Sequence, residues 1–264
     1  MSALTSAPQA VTTPARRMTA LARAELTLLG RSKGTLFAAL FVPLVLPVSV
    51  RQAAEGMDLK GTGLTVGTIV LPGAIGFSLL FAVYSALTAV YVARREELVL
   101  KRLRTGELRD PEILAGAALP SVAIGVTQSV LLAVGCAVLL DAGAPSAPHL
   151  AVIGLLLGLV TFTALAAVTG SFSRSAESAQ VMSMPLMFLS MFGSGLFIPF
   201  EVMPDKLASV AELLPLSPVI TLVRGGWTGD LSASDTVTAL TVAVAWAVVS
   251  VFAVRRWFRW EPRR

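Results

Sequence analysis

Six apolar stretches, each close to the length needed to cross a bilayer, take up most of this chain. They run over roughly 34–50, 64–92, 113–140, 150–172, 181–199 and 235–254. A helix needs about 20 apolar residues to cross the hydrocarbon core. No Asp, Glu, Lys, Arg or His lies in the interior of any of them. Pro72, with Gly73 and Gly76, is the expected interruption of the second. The fold class is therefore all-α integral membrane, in one membrane domain. The basic residues sort to one side of these spans. That side collects Arg16, Arg17, Arg23, Arg31, Lys33, the six basic residues of the 93–112 loop, Arg174 and the five at the C-terminal end, 17 of the 21. Acidic residues divide evenly between the two sides. The positive-inside rule then places both termini in the cytoplasm.

Composition removes several function classes. The pI near 10 comes from basic residues beside spans, where anionic lipid is the nearer partner than nucleic acid. Residues 1–15 carry no charge and no long apolar run. They lack the basic start and apolar core of a signal peptide, and a disordered cytoplasmic tail is expected. Cys136 stands alone and can form neither an intrachain disulfide nor a multi-Cys metal site. His149, also alone, sits at the mouth of span four, and no metal site is expected. Ion-driven pumps keep ionisable groups in the membrane to bind the coupling ion; none is present in these spans. There is no G-x-x-x-x-G-K-[ST] loop. The chain has neither a nucleotide site nor catalytic residues of its own, so uphill transport would draw its energy from another subunit.

Two segments on the basic side have partner-binding character. Residues 93–112, ARREELVLKRLRTGELRDPE, read first as one amphipathic helix, with Glu97 four residues before Lys101. Leu98, Val99, Leu100 and Leu103 form its apolar side, and Gly106 is a left-handed stop. Asp110 then caps the next helix, with Pro111 in its first turn. Before span one, Met18, Leu21, Ala22, Leu26 and Leu29 recur at helical spacing while Arg16, Arg23 and Thr27 face away, as in an interfacial helix. On the other side, 200–234 contains two short helical stripes separated by Pro215 and Pro218. They are too short to cross, and a pair of half-helices dipping into the membrane is expected.

Together these parts resemble the ABC-2 permease family, over residues about 16–254, and most closely its small daunorubicin-resistance-like members. The specific pieces are RREELVLKRLRTGELRDPEILAGAALP and the run from Ser175 through FGSGLFIPFEVMP to LLPLSPVITLVRGG. Pro218 departs from the polar or aromatic residue common there. The resemblance implies six transmembrane helices, an N-terminal interfacial connecting helix, a cytoplasmic coupling helix and short re-entrant external helices. It implies a bacterial cytoplasmic membrane protein that pairs with a second permease, as homodimer or heterodimer. Each permease would dock on a cytoplasmic ABC ATPase that binds ATP and magnesium. Coupling would fall to Arg95, Glu96, Glu97, Leu100, Leu103 and Arg104. Spans two and five would line the substrate path with Phe77, Phe81, Tyr84, Thr88, Met184, Met187, Phe188 and Met191. Methionine and aromatic side chains adapt to varied apolar ligands, so efflux of an amphipathic drug, natural product or lipid-like cargo is expected. Export of a polysaccharide or lipid-linked glycan, or a non-transporting anchor that recruits a cytoplasmic partner, are the alternatives.

A reporter fused after residue 145 should behave as external and one after Arg264 as cytoplasmic. Finding both termini outside would overturn the orientation.

Overall fold

In the computed structural model, residues 13–31, 65–196 and 203–261 are described, with isolated positions between 33 and 45. Every regular element among them is helical. Helix α1 spans Pro14–Arg31, α2 Val66–Glu96, α3 Val99–Arg104, α4 Asp110–Leu139 and α5 Pro148–Phe172. Then follow α6, Ala176–Gly193, α7, Asp205–Ala211, α8, Ser217–Thr228, and α9, Ala233–Trp257. Four of these, α2, α4, α5 and α9, are long and apolar enough to cross a membrane. The expected fifth span begins as α6, and its last residues, 197–199, lie outside the described residues. So does most of the expected first span. Its described positions Gly34, Phe37, Phe41 and Val45 are helical, with the Phe37 and Phe41 rings stacked at 4.9 Å. Residues 1–12 are likewise outside, and Pro14 and Ala15 already belong to α1.

Apolar segments in lipid gain no hydrophobic driving force from one another, so small residues that let backbones approach do much of the packing. Gly125 of α4 sits where an added Cβ would be 2.7 Å from Val83 of α2. Between α5 and α8 the same holds at Gly154 against Leu222 and at Gly158 against Val219. A buried polar pair, Ser78 to Gln128, also joins α2 to α4; in an apolar setting each group needs the other.

Pro72 does not break α2. It lies inside the helix, past the first turn, where it removes one i→i−4 bond, and the helix continues through it. Gly73 and Gly76 serve close packing instead. A Cβ at Gly76 would lie 2.7 Å from Ile220 of α8. The irregularity comes later, as a π-helical stretch at Leu79–Ser85. Its i→i+5 bonding puts an extra residue in the turn and rotates everything downstream.

Helix α8 is wedged among α2, α5 and α9. It has 12 residues, about 18 Å, too short for a hydrocarbon core of about 30 Å. Its C-terminal end meets the α4–α5 connection: Gly226 O accepts from Ala147 N at 2.9 Å, and Trp227 Nε1 donates to Gly143 O at 3.3 Å. Its N-terminal end lies deep. Leu216 and Ile220 pack on Gly76, ten residues into α2, or about 15 Å. The turn before it is held by Trp246, whose Nε1 donates to Leu213 O at 2.7 Å. Trp246 is thirteen residues into α9, at comparable depth. Buried Pro215 and Pro218 supply no N–H at the place where an orphan donor would be most costly. The buried hydroxyl of Ser217 donates to Ala211 O at 2.5 Å and closes the turn.

Gly226→Ala should lower the thermal stability of the purified protein, because the new Cβ meets the Ala151 nitrogen at 2.7 Å and the Ala147 oxygen at 3.1 Å. The overpacking cost is about 1–3 kcal/mol. Gly135, with nothing within 4 Å, should accept alanine with unchanged or raised stability. Equal behaviour of the two variants would refute the wedge.

Candidate functional site

The end of the bundle that carries α3 is organised by Arg95. It occupies the last turn of α2 and is only 1% exposed. Its guanidinium donates to Gly170 O at 3.0 Å and Ser173 O at 2.5 Å. These carbonyls belong to the C-terminal end of α5, where the helix dipole favours a cation and unpaired acceptors need donors. Arg95 is thus a structural anchor, and its side chain is not offered to a partner.

Beyond it the chain turns sharply. The expected single helix over 94–104 is broken: α2 ends at Glu96, and Leu98 is left-handed at φ 60. Leu98 N donates to Arg95 O at 3.1 Å, and Arg102 Nη2 donates to Glu97 O at 2.8 Å. The expected left-handed stop at Gly106 is therefore displaced to Leu98; Gly106 has no positive φ. Lys101 does not pair with Glu97. Its Nζ lies 2.8 Å from Glu261. The cap of α4 is one residue earlier than expected, at Arg109, whose N–H is accepted by Glu112 at 2.8 Å.

The turn redistributes the residues expected to couple. Glu96, Glu97 and Arg104 are exposed, Leu103 is half-buried and Leu100 is fully buried. Leu100 therefore packs α3 onto the bundle. Leu98, 42% exposed, is the apolar residue that projects, forming a Glu96–Glu97–Leu98 knuckle. No glycine or asparagine marks this left-handed residue, so nothing in the sequence signals the turn.

Helix α1 braces the same end. Arg17 forms an ion pair with Glu112 of α4 at 3.0 Å, and Arg94 of α2 pairs with Glu25 at 2.5 and 2.6 Å. Leu21 covers Gly116 so closely that a Cβ there would meet it at 1.9 Å. The packed face of α1 is thus Met18, Leu21, Ala22, Leu29 and the buried Glu25, while Leu26 is 45% exposed. Arg16, Arg23 and Arg31 lie on the open side.

The expected path residues divide. On α2, Phe77 and Phe81 stack at 4.1 Å, and Phe81 is exposed. Tyr84 and Thr88 are buried and do not share that face. The Tyr84 hydroxyl meets Thr169 of α5 at 3.0 Å, and Thr88 donates to Tyr84 O at 2.7 Å. Positions 77, 81, 84 and 88 align on a regular helix; the π-helical stretch between them turns the last two into the core. On α6, Met184 and Phe188 are exposed, while Met187 and Met191 pack partly against the core. Phe192 stacks with Phe188 at 6.2 Å and extends the open face. Since α6 packs beside α2, the open aromatic rings lie on neighbouring helices.

At the α8 end, a cavity of about 730 Å³ opens between α2, α7, α8 and α9. Thr68, Glu212, Arg224, Asp235 and Thr238 are among its lining residues. Cys136 is buried in α4, and His149 is exposed at the start of α5.

Comparison with known proteins agrees with this architecture. The ABC-2 type transporter family matches residues 16–227. The chain belongs to this family. Its membrane helices make it a multi-pass membrane protein, and membership makes it a transport permease subunit. Over 76 residues it is 40% identical to "Putative transport permease YvfS" of Bacillus subtilis (strain 168). That stretch is 27% of this chain and spans 31% of the length of that relative.

Leu98→Gly should raise thermal stability by about 1 kcal/mol, since a leucine in the left-handed region costs roughly 1–2 kcal/mol and glycine removes the strain. Leu100→Asp should instead reduce the folded yield, because it buries an unpaired carboxylate. Unfolding temperatures and membrane abundance check both; a tolerated Leu100→Asp would contradict the buried position.

Proposed function

We propose that the chain is the permease of an ATP-driven exporter in the bacterial cytoplasmic membrane, with both termini in the cytoplasm. The knuckle Glu96–Leu98 and the exposed side of α3 dock on the ATPase, which binds ATP and magnesium and hydrolyses the nucleotide. The observation that carries this reading is the knuckle itself. Two acids and an exposed leucine project from a turn fixed by a fully buried arginine. A rigid projection of mixed character suits force transfer: docking orders little that is not already ordered. Helix α1, tied by ion pairs to α2 and α4, would transmit the resulting movement to both.

A second permease copy, identical or homologous, would cover the open face of Phe77, Phe81, Met184, Phe188 and Phe192. The space between two such faces would form the path. It offers dispersion and shape-tolerant contact without a fixed ion, which suits an amphipathic drug, natural product or lipid-like molecule better than a glycan. The charged groups stand at the cavity near Arg224, where cargo would leave.

The reading is tested by co-expressing the permease with an ABC ATPase subunit and purifying through the permease. Wild type should retain the ATPase. The Glu97→Lys, Leu98→Asp double variant should bind it at least about ten-fold more weakly, a loss of about 1.4 kcal/mol, at unchanged membrane abundance. A wild-type protein that never carries an ATPase would favour an anchor role.

A further inference from the structure

The segment after α9 folds back onto α3. Phe258 packs against the core, its ring 6.1 Å from Tyr91 of α2 and edge-on. Tyr91 in turn donates to Leu114 O of α4 at 3.0 Å. Trp260 stands edge-on to Phe258 at 5.0 Å. The Arg104 guanidinium lies over the Trp260 ring, 4.9 Å from its centroid. Arg104 also grips Asp110 through two bonds, at 3.0 and 3.2 Å. Glu261 meets Lys101 one turn earlier.

These contacts reach the last turn of a helix only 6 residues long. A helix of that length has little stability of its own, so its orientation depends on what holds it. Leu100 secures one side to the bundle. Arg104 secures the end, clamped between the Asp110 carboxylate and the Trp260 ring. The Lys101–Glu261 pair is mostly exposed, with 55% and 71% of the side chains open, and contributes little. Trp260 is the main hold of the strap.

We infer that Trp260 is a positioning residue for α3: the C-terminal strap Phe258–Glu261 fixes the helix in the orientation that docks on the ATPase. This rests on the reading of α3 as the docking helix. The consequence is that coupling depends on a part of the chain remote in sequence from the docking loop.

The test uses the full chain in detergent with hydrogen exchange at the amides of 97–106, compared among wild type, Trp260→Ala, Trp260→Phe and Trp257→Ala. Trp257 ends α9 and is 52% exposed. Trp260→Ala should speed exchange in α3 roughly five-fold, as expected for loss of one cation–π contact. Trp260→Phe should restore most of the protection, and Trp257→Ala should match wild type. Association with the co-expressed ATPase should weaken in Trp260→Ala and recover in Trp260→Phe. Unchanged exchange in Trp260→Ala would overturn the strap. Faster exchange with undiminished association would overturn the positioning role. If wild type itself binds no ATPase, the docking reading fails, and the exchange measurement still decides whether Trp260 holds α3.

Discussion

A buried guanidinium organises the end of the bundle that carries α3. A charge removed from water is costly unless hydrogen-bonded, and Arg95 finds its acceptors at Gly170 and Ser173. Those acceptors are the carbonyls that a helix end leaves without partners. One side chain thereby meets two needs and locks the end of α2 against the end of α5. The chain then leaves at Glu96, turns through left-handed Leu98 and starts α3. The projection of Glu96 to Leu98, the burial of Leu100 and the reach of Arg104 to Trp260 all follow from where Arg95 is held.

The opposite end meets the demands of lipid differently. A short helix in hydrocarbon must bury its backbone ends in protein. Helix α8 starts deep in the bundle among α2, α5 and α9, with Trp246 bonded to the turn that precedes it. Glycines at 76, 154, 158 and 226 give it room. Pro218, in the first turn of α8, supplies no donor at its deep end.

Hydropathy made the long helices legible, because crossing a membrane demands a long uncharged run; α2, α4, α5 and α9 each lie within a few residues of their expected bounds. The periodicity of α1 was readable in Leu21 and Met18. Glu25 was not, since its partner Arg94 is 69 residues away. That Tyr84 and Thr88 part from the face of Phe77 and Phe81 was not legible, because a π-helical stretch has no residue signature and a single extra residue rotates the face. The segment 94–104 is helical as expected, but it is not one continuous helix. Its left-handed residue is a leucine where the pattern offered Gly106, and Leu98 and Leu100, expected on one apolar side, part: Leu98 projects and Leu100 is buried. The Phe258–Glu261 strap was invisible for a simpler reason: its contacts with Tyr91, Lys101 and Arg104 are all long-range.

The central claim is that the knuckle at Leu98, and not the buried side of α3, touches the ATPase. Site-specific photo-crosslinking tests it directly, with a photoreactive amino acid placed at position 98 or at position 100 in cells that also express the ATPase. The account predicts a permease–ATPase adduct from position 98 and none from position 100. Adducts from position 100, with position 98 silent, would contradict it.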